Sequence, residues 1–381
     1  MSKPWPRVQL GDVLAQVQRE DVPTAGILYR QIGVRLWGAG AYERESIDGS
    51  QTKYAKLFQA KTGDVIVNKI WARNGSVAVV GEALDGTWGS TEFPIFEPDR
   101  SRVNPRWLHW ITKTPWFWQA CDEHAQGTSG KNRIKPEQFL GIEIPLPPPE
   151  DQRRIVTRID AIQQQLQQAD ALRASIAHDI ASLLAVRFQE TLQHAEWLPM
   201  QDVAPIVRRD VAVDPQSNYA ELGIRSFGKG TFHKPTLSGI ELGSKRVYRI
   251  EPGDLLFSNV FAWEGAIAVA KPDDTNRVGS HRFISCVSHG GLVTAEYLRY
   301  YFLTDEGMNK IRDASPGGAG RNRTLGLAKL LALTVPIPPI QIQQQFVALQ
   351  AELARLDQVR SDEAEQVSAV VPTLIARTMQ G

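Results

Sequence analysis

Between residues 150 and 194, apolar side chains recur in steps of four and three: Ile155, Ile159, Ile162, Leu166 and Ala169, then, after a break in phase, Leu172, Ile176, Ile180 and Leu183. Such steps put one stripe on the face of an α-helix. A second stretch, 341–381, repeats the pattern with Phe346, Leu349, Leu353, Leu356, Val367, Val370 and Leu374. Both stretches are almost free of Gly and rich in Gln, Ala, Leu and Glu, and the prolines at 147–149 and 338–339 end the preceding segment and open each helix. A helix of about 40 residues is roughly 60 Å long and marginal by itself. Two such helices can bury their stripes against each other as an antiparallel coiled coil. The alternative is that each packs on its own neighbouring domain. Pro372 removes a backbone donor and predicts a kink or an early end in the second helix.

The remaining chain reads in a shorter period. Residues 1–149 and 197–340 carry Gly, Pro, aromatics and short β-type runs such as 64–67 (DVIV), 76–80 (SVAVV), 254–257 (DLLF) and 266–270 (AIAVA). A Gly-Asp pair precedes one strand in each half, as a turn feeding a strand. The expected organisation is therefore α+β: two tandem, mixed but mostly β domains, 1–149 and 197–340, each followed by a helical spacer, 150–196 and 341–381.

These two halves are copies. Gly223 lies 190 positions after Gly33 (223 − 33), and the same offset links Gly38 with Gly228, Gly63-Asp64 with Gly253-Asp254, Gly89-Ser90 with Gly279-Ser280, and Trp107-Leu108 with Tyr297-Leu298. It also aligns residues 127–133 (GTSGKNR) with 317–323 (GGAGRNR), after which one inserted residue shifts the offset to 191, pairing 144–148 (IPLPP) with 335–339 (VPIPP). A tandem duplication has two sites of one kind.

Composition narrows the class. The 381 residues, 42% hydrophobic and 22% charged, are those of a globular protein with room for several cores. No run of about 18 uncharged apolar residues is present and the first ten residues lack a hydrophobic signal core, so a cytoplasmic, non-membrane protein is expected. Cys121 and Cys286 are not repeat-equivalent, since position 311 is an isoleucine; they read as reduced structural thiols. Catalytic and cofactor motifs are missing: 127–131 is too short for a phosphate-binding P-loop, the aromatic tetrapeptide of amino-methylating enzymes is not found, and no His, Cys or carboxylate constellation recurs in both halves. The run 227–230 (FGKG) follows no strand-helix pattern and reads as a sharp turn.

What recurs is rich in hydrogen-bond donors. Lys131, Asn132 and Arg133 face Arg321, Asn322 and Arg323 in Gly-rich loops, suited by charge to phosphates and by geometry to base edges. Arg35 and Arg225 also recur, either as contacts or as salt-bridge anchors of the fold. After each Gly-Asp strand the frame persists while its chemistry changes: 68–74 (NKIWARN) aligns with 258–264 (SNVFAWE). Lys69, Trp71, Arg73 and Asn74 in the first copy, and Asn259 and Trp263 in the second, are thus candidates for reading two different sequences from one scaffold. A net charge of +1 is low for a protein that binds phosphates unaided.

Residues 144–156 (IPLPPPEDQRRIV) resemble the segment that closes a target-recognition domain and opens a conserved helix in specificity subunits of type I restriction-modification systems; 127–133, with Ile134, Phe139 and Leu140, resemble the segment before it. The order domain, helix, domain, helix covers the chain. The second copy departs: 340–346 (IQIQQQF) lacks the acidic-Gln-Arg core but keeps Gln343 opposite Gln152. The resemblance implies a non-catalytic chain without cofactor of its own, whose domains each read half of a split double-stranded DNA target. The helices would set the gap and dock two methyltransferase subunits, which bring S-adenosylmethionine, while restriction subunits add ATP- and Mg-dependent cleavage. The recognition subunit of a two-sided type II restriction system would share this anatomy. A duplicated ligand-binding scaffold is the alternative of another class, for which Trp116 and Trp118 speak weakly because their repeat partners are Glu306 and Met308.

Overall fold

A computed structural model describes residues 5–125, 133–317 and 323–380. The chain divides into two compact units, 1–173 with 360–381, and 174–359. Each is built on the same plan.

In the first unit, strand Val65–Val67 is buried along its whole length, flanked by Ile95–Pro98 and Val77–Val79, with Leu14–Val17 completing an antiparallel four-stranded sheet. A run of three β-branched residues favours this doubly covered position. A five-stranded sheet runs Glu20–Asp21, Leu57–Gln59, Trp88–Gly89, Leu28–Val34, Ala41–Asp48, parallel only between the third and fourth strands. A two-stranded ribbon pairs Arg7–Gln9 with Glu143–Pro145. The second unit repeats all three: Ile206–Val207, Phe283–Cys286, Leu255–Ser258, Ile267–Val269; then Asp210–Val211, Val247–Arg249, Val278–Ser280, Asn218–Ile224, Thr231–Ser238; then Glu196–Pro199 with Thr334–Ile337.

The duplicated Gly-Asp turn has a physical cause in each copy. Gly63 and Gly253 take φ of 92° and 89°, a conformation that costs glycine least. The buried Asp64 accepts from Lys61 N at 2.8 Å and from Arg19 Nη1 at 2.6 Å. Its counterpart Asp254 accepts from Glu251 N at 3.1 Å and from Arg209 Nη1 at 2.6 Å. A buried carboxylate is thus fully paired both times.

The two long helices are Pro149–Leu192 and Ile340–Gln380. The second does not end early at Pro372: it runs on to Gln380 with the proline inside. The lost backbone bond is offset because Met379 is fully buried in the first unit's core, with Ile375 packed beside it. In that unit, Ile155, Ile159 and Ile162 near the start of the first helix share a cleft with Leu374 and Ile375 near the end of the second. In the second unit, Arg187, Glu190 and Thr191 near the end of the first helix line a cleft with Ile342, Phe346 and Leu349 of the second. Opposite helix ends therefore meet within each unit. Burial is concentrated there: Val156 and Ile159 join a core around Trp107, Phe117 and Phe139, and Phe188 and Phe346 join one around Tyr297, Tyr301 and Phe302. Ile155, Leu166, Ile180, Leu349 and Leu353 are half-buried. Between the ends the stripe stays open to solvent, with Ile162, Ile176, Leu183, Leu356, Val367 and Leu374 all more than a third exposed. Cys121 and Cys286 are free and buried, and no helix among the described residues is long and apolar enough to cross a membrane.

One buried amide ties each long helix to its domain. Gln152, at 0% exposure, accepts from Asn104 N at 2.8 Å and donates to Arg102 O at 2.9 Å and Pro147 O at 2.8 Å. Gln343, also at 0%, accepts from Thr294 N at 3.0 Å and donates to Leu292 O at 2.9 Å and Pro338 O at 2.7 Å. Replacing either by leucine keeps the volume but strands three backbone groups, so Gln152→Leu and Gln343→Leu should each destabilise their own unit by about 2–4 kcal/mol. Thermal and urea unfolding would check this, and a loss below about 1 kcal/mol would show that the amides carry little.

Candidate nucleic-acid interface

Three loops meet at one backbone position in each unit. The strand Val65–Val67 ends in a turn in which Asn68 Oδ1 accepts from Ile70 N at 3.1 Å and Trp71 N at 3.3 Å. A single helical turn, Ala72–Asn74, follows and stops at Gly75, φ 76°. Lys69 N donates to Glu92 O at 3.1 Å, and Lys69 O accepts from Ile134 N at 2.9 Å. The second unit repeats the frame: Asn259 N donates to Arg282 O at 2.7 Å, and Asn259 O accepts from Leu325 N at 2.8 Å. Because Ile134 corresponds to Leu325 while Arg133 corresponds to Arg323, the inserted residue of the second copy is Thr324.

A hairpin tip docks on the same turn. Trp37 N and Gly38 N donate to Asn74 O and Gly75 O at 2.6 and 3.1 Å; Phe227 N and Gly228 N donate to Glu264 O and Gly265 O, both at 2.8 Å. Gly75 is required, since a Cβ there would lie 2.7 Å from Gly38 N and from the Trp118 ring. Trp118, edge-on to Trp37 and donating to Thr112 O at 2.8 Å, is therefore a buttress of the turn. The sharp turn expected at 227–230 is this tip: Gly228 and Gly230 have φ of 66° and 79°.

The predicted contact residues sit on this frame with different partners in each copy. Lys69 is half-buried, lining a cleft of about 190 Å³ with Gln16, Thr91 and Pro136. Trp71 is exposed, and Arg73 and Asn74 are half-buried. Arg133 Nη1 pairs with Glu92 Oε1 at 3.1 Å. In the second copy the residue aligned with Arg73 is Trp263, which donates to Val260 O at 2.9 Å and carries the Arg323 guanidinium over its ring at 5.2 Å. Arg35 and Arg225 form no salt bridge among the described residues; each lies over an aromatic ring, Tyr42 at 4.4 Å and Phe232 at 5.2 Å, and remains exposed. Lys131, Asn132, Arg321 and Asn322 lie outside the described residues.

Sequence reasoning missed two pairs. Trp37 and Phe227 hold left-handed φ of 57° and 60° and stand 62% and 75% exposed. With Trp71 and Phe261, 45% and 42% exposed, they place two outward aromatics at equivalent points of each unit. An aromatic before Gly-x-Gly in both copies was the available signal. Glu92 and Arg282 are the other pair, repeat-equivalent and opposite in charge.

Burial shifts several titratable groups of the two units. Burial, with Lys113 and Arg106 nearby, pushes His109 down to about 3, and burial followed by Arg106 lowers Lys113. Burial raises the Cys121 thiol and pushes Cys286 up to about 12, leaving inert thiols at neutral pH. Among the described residues no group of three or more His, Cys, Asp or Glu is placed to hold a metal ion.

Residues 2–176 match the type I restriction modification DNA specificity domain family. The fold is similar to that of the HsdS subunit from Thermoanaerobacter tengcongensis, at 19% identity and TM-score 0.62, covering 99% of this chain and 97% of that one. It is also similar, at 18% identity and TM-score 0.69, to a chain from work on complex assembly and conformational transition of the type I R-M system, covering 100% and 99%. No curated protein matches in sequence. The family match thus covers the first copy and the start of its long helix, the second copy is built on the same frame, and the fold is shared end to end with both solved chains.

Proposed function

We propose that each unit reads one half of a bipartite double-stranded DNA target, and that the chain is a non-catalytic guide for methyl transfer. The observation that carries this is the shared loop frame around Lys69 and Asn259: identical backbone bonds hold Lys69, Arg73 and Glu92 in one copy and Asn259, Trp263 and Arg282 in the other. Fixed scaffolding with exchanged polar tips is what two modules need to distinguish two base sequences.

The long helices set the gap between the halves, pairing antiparallel where their opposite ends meet, and the apolar stripe left open between those ends is the docking face for two methyltransferase subunits. S-adenosylmethionine belongs to those partners, and ATP with Mg to restriction subunits that join them in the cytoplasm. Sharing the duplex with partners also accounts for a net charge of only +1, because the phosphate-neutralising load is divided.

Single-molecule mapping of methylated adenines, with and without this chain, is the direct test. A split motif that disappears on deletion is expected, and an unchanged methylome would overturn the reading. In the assembled complex, Arg133→Ala and Arg323→Ala should weaken DNA binding at all sequences and flatten the salt dependence by about 0.9 in log-log slope each. Lys69→Ala and Trp263→Ala should change sequence preference instead, read by competition between randomised duplexes. Leu172→Glu and Leu356→Glu, at positions 64% and 49% exposed, should leave the isolated chain folded yet abolish co-purification of its cognate methyltransferase. Retained co-purification would remove the stripe as the docking face.

A further inference from the structure

The loops holding Glu92 and Arg282 superpose bond for bond. Each follows the duplicated Gly-Ser, and its backbone amide faces the serine hydroxyl: Glu92 N donates to Ser90 Oγ and Arg282 N to Ser280 Oγ, both at 3.4 Å. Each carbonyl is then fixed by the neighbouring frame, Glu92 O by Lys69 N and Arg282 O by Asn259 N. Two side chains of opposite charge therefore leave the same point of the same scaffold.

Their surroundings have changed with them. In the first unit Arg133 Nη1 donates to Glu92 Oε1, while Oε2 is buried and has no hydrogen-bond partner among the described residues; the side chain as a whole is a quarter exposed. A carboxylate oxygen accepts more than one hydrogen bond, so a partly exposed carboxylate held by one arginine keeps acceptor capacity for an incoming donor. In the second unit a second cation at position 282 leaves Arg323 without that carboxylate, and Arg323 lies on the Trp263 ring instead. Arg282 is exposed and makes no salt bridge among the described residues, where the buried Oδ1 of Asn259 also has no hydrogen-bond partner.

We infer that Glu92 and Arg282 are specificity-determining residues of the two half-sites, Glu92 accepting from the exocyclic amino group of a cytosine or adenine and Arg282 donating to guanine O6 and N7. The inference rests on the DNA-reading role proposed above. Carboxylates accept from cytosine N4 and guanidinium pairs with guanine in the major groove, so a change of sign at one scaffold point exchanges the base that fits.

The test uses the complete methyltransferase complex on a library of duplexes randomised across both half-sites, with methylation read molecule by molecule for the wild type, Glu92→Gln and Arg282→Gln. Thermal melts establish that the variants are folded. Each variant should lose at least about tenfold of its preference at one base pair, the two should affect different halves, and the opposite half should stay as in the wild type. An unaltered motif, a uniform loss over all sequences in a folded variant, or an effect of both variants on the same half would overturn the assignment while leaving the recognition role intact. A wild-type complex that selects no split motif would overturn the recognition role itself.

Discussion

A single primary amide, used twice, is the constraint on which the rest of the architecture depends. Gln152 and Gln343 lie in the first turn of each long helix and are shut off from solvent, with both amide ends engaged. Each accepts from the backbone at the cap of a short domain helix, Pro105–Ile111 or Ala295–Leu303, and donates to the loop that leads into the long helix. A buried amide satisfied on both sides has one workable geometry, so the direction in which the long helix leaves its domain is fixed by it. The second copy demonstrates which residue of the motif matters. Asp151 and Arg153 give way to Ile342 and Gln344, and an exposed ion pair between Asp151 and Arg154 is lost with them, yet the glutamine and its three bonds persist. Surface ion pairs of that kind contribute little to stability.

With the helix direction fixed by those amides, variation is left to the loops. The loops around Lys69 and Asn259 are pinned by backbone hydrogen bonds, which do not depend on side-chain identity. Substitution of Lys by Asn, Arg by Trp, or Glu by Arg therefore alters what the surface offers without moving the chain that carries it. Side-chain contacts adapt locally: Arg133 takes a carboxylate, Arg323 takes an indole ring, and both remain on the same face of the frame.

Much of this was legible in the sequence, and what was not had identifiable causes. The fixed 190-residue offset, the Gly-Asp turns and the four-three apolar steps are local or periodic signals, and they gave the two β-rich domains and both long helices. Pro372 misled because local propensity argues for a break, whereas burial of Met379 lies in tertiary packing that no local rule sees. Trp37 and Phe227 lie in a run that reads only as a sharp turn, and the direction of their rings is set by the left-handed turn docked on Gly75 and Gly265, which no local rule gives. Of the two readings open for Arg35 and Arg225, contacts or salt-bridge anchors, the second finds no ion pair among the described residues, and each guanidinium lies on an aromatic face. Glu92 carries no signal within one copy; its informative feature is the change of sign at the equivalent Arg282.

That change of sign bears on what a duplicated reader can recognise. Two identical units would present the same chemistry twice, and the target of such a protein would be two copies of one half-site. Here the backbone frames are the same, but Lys69, Arg73 and Glu92 face Asn259, Trp263 and Arg282. The cationic residues that do coincide are largely engaged within the fold: Arg19 and Arg209 neutralise buried aspartates, and Arg35 and Arg225 rest on rings. These shared positions thus serve structure, whereas on the proposed reading Arg133 and Arg323 meet phosphates and the differing positions meet bases. On that reading the chain would recognise two unlike halves, and an asymmetric target would follow from divergence at a few loop positions after duplication, with the scaffold unchanged.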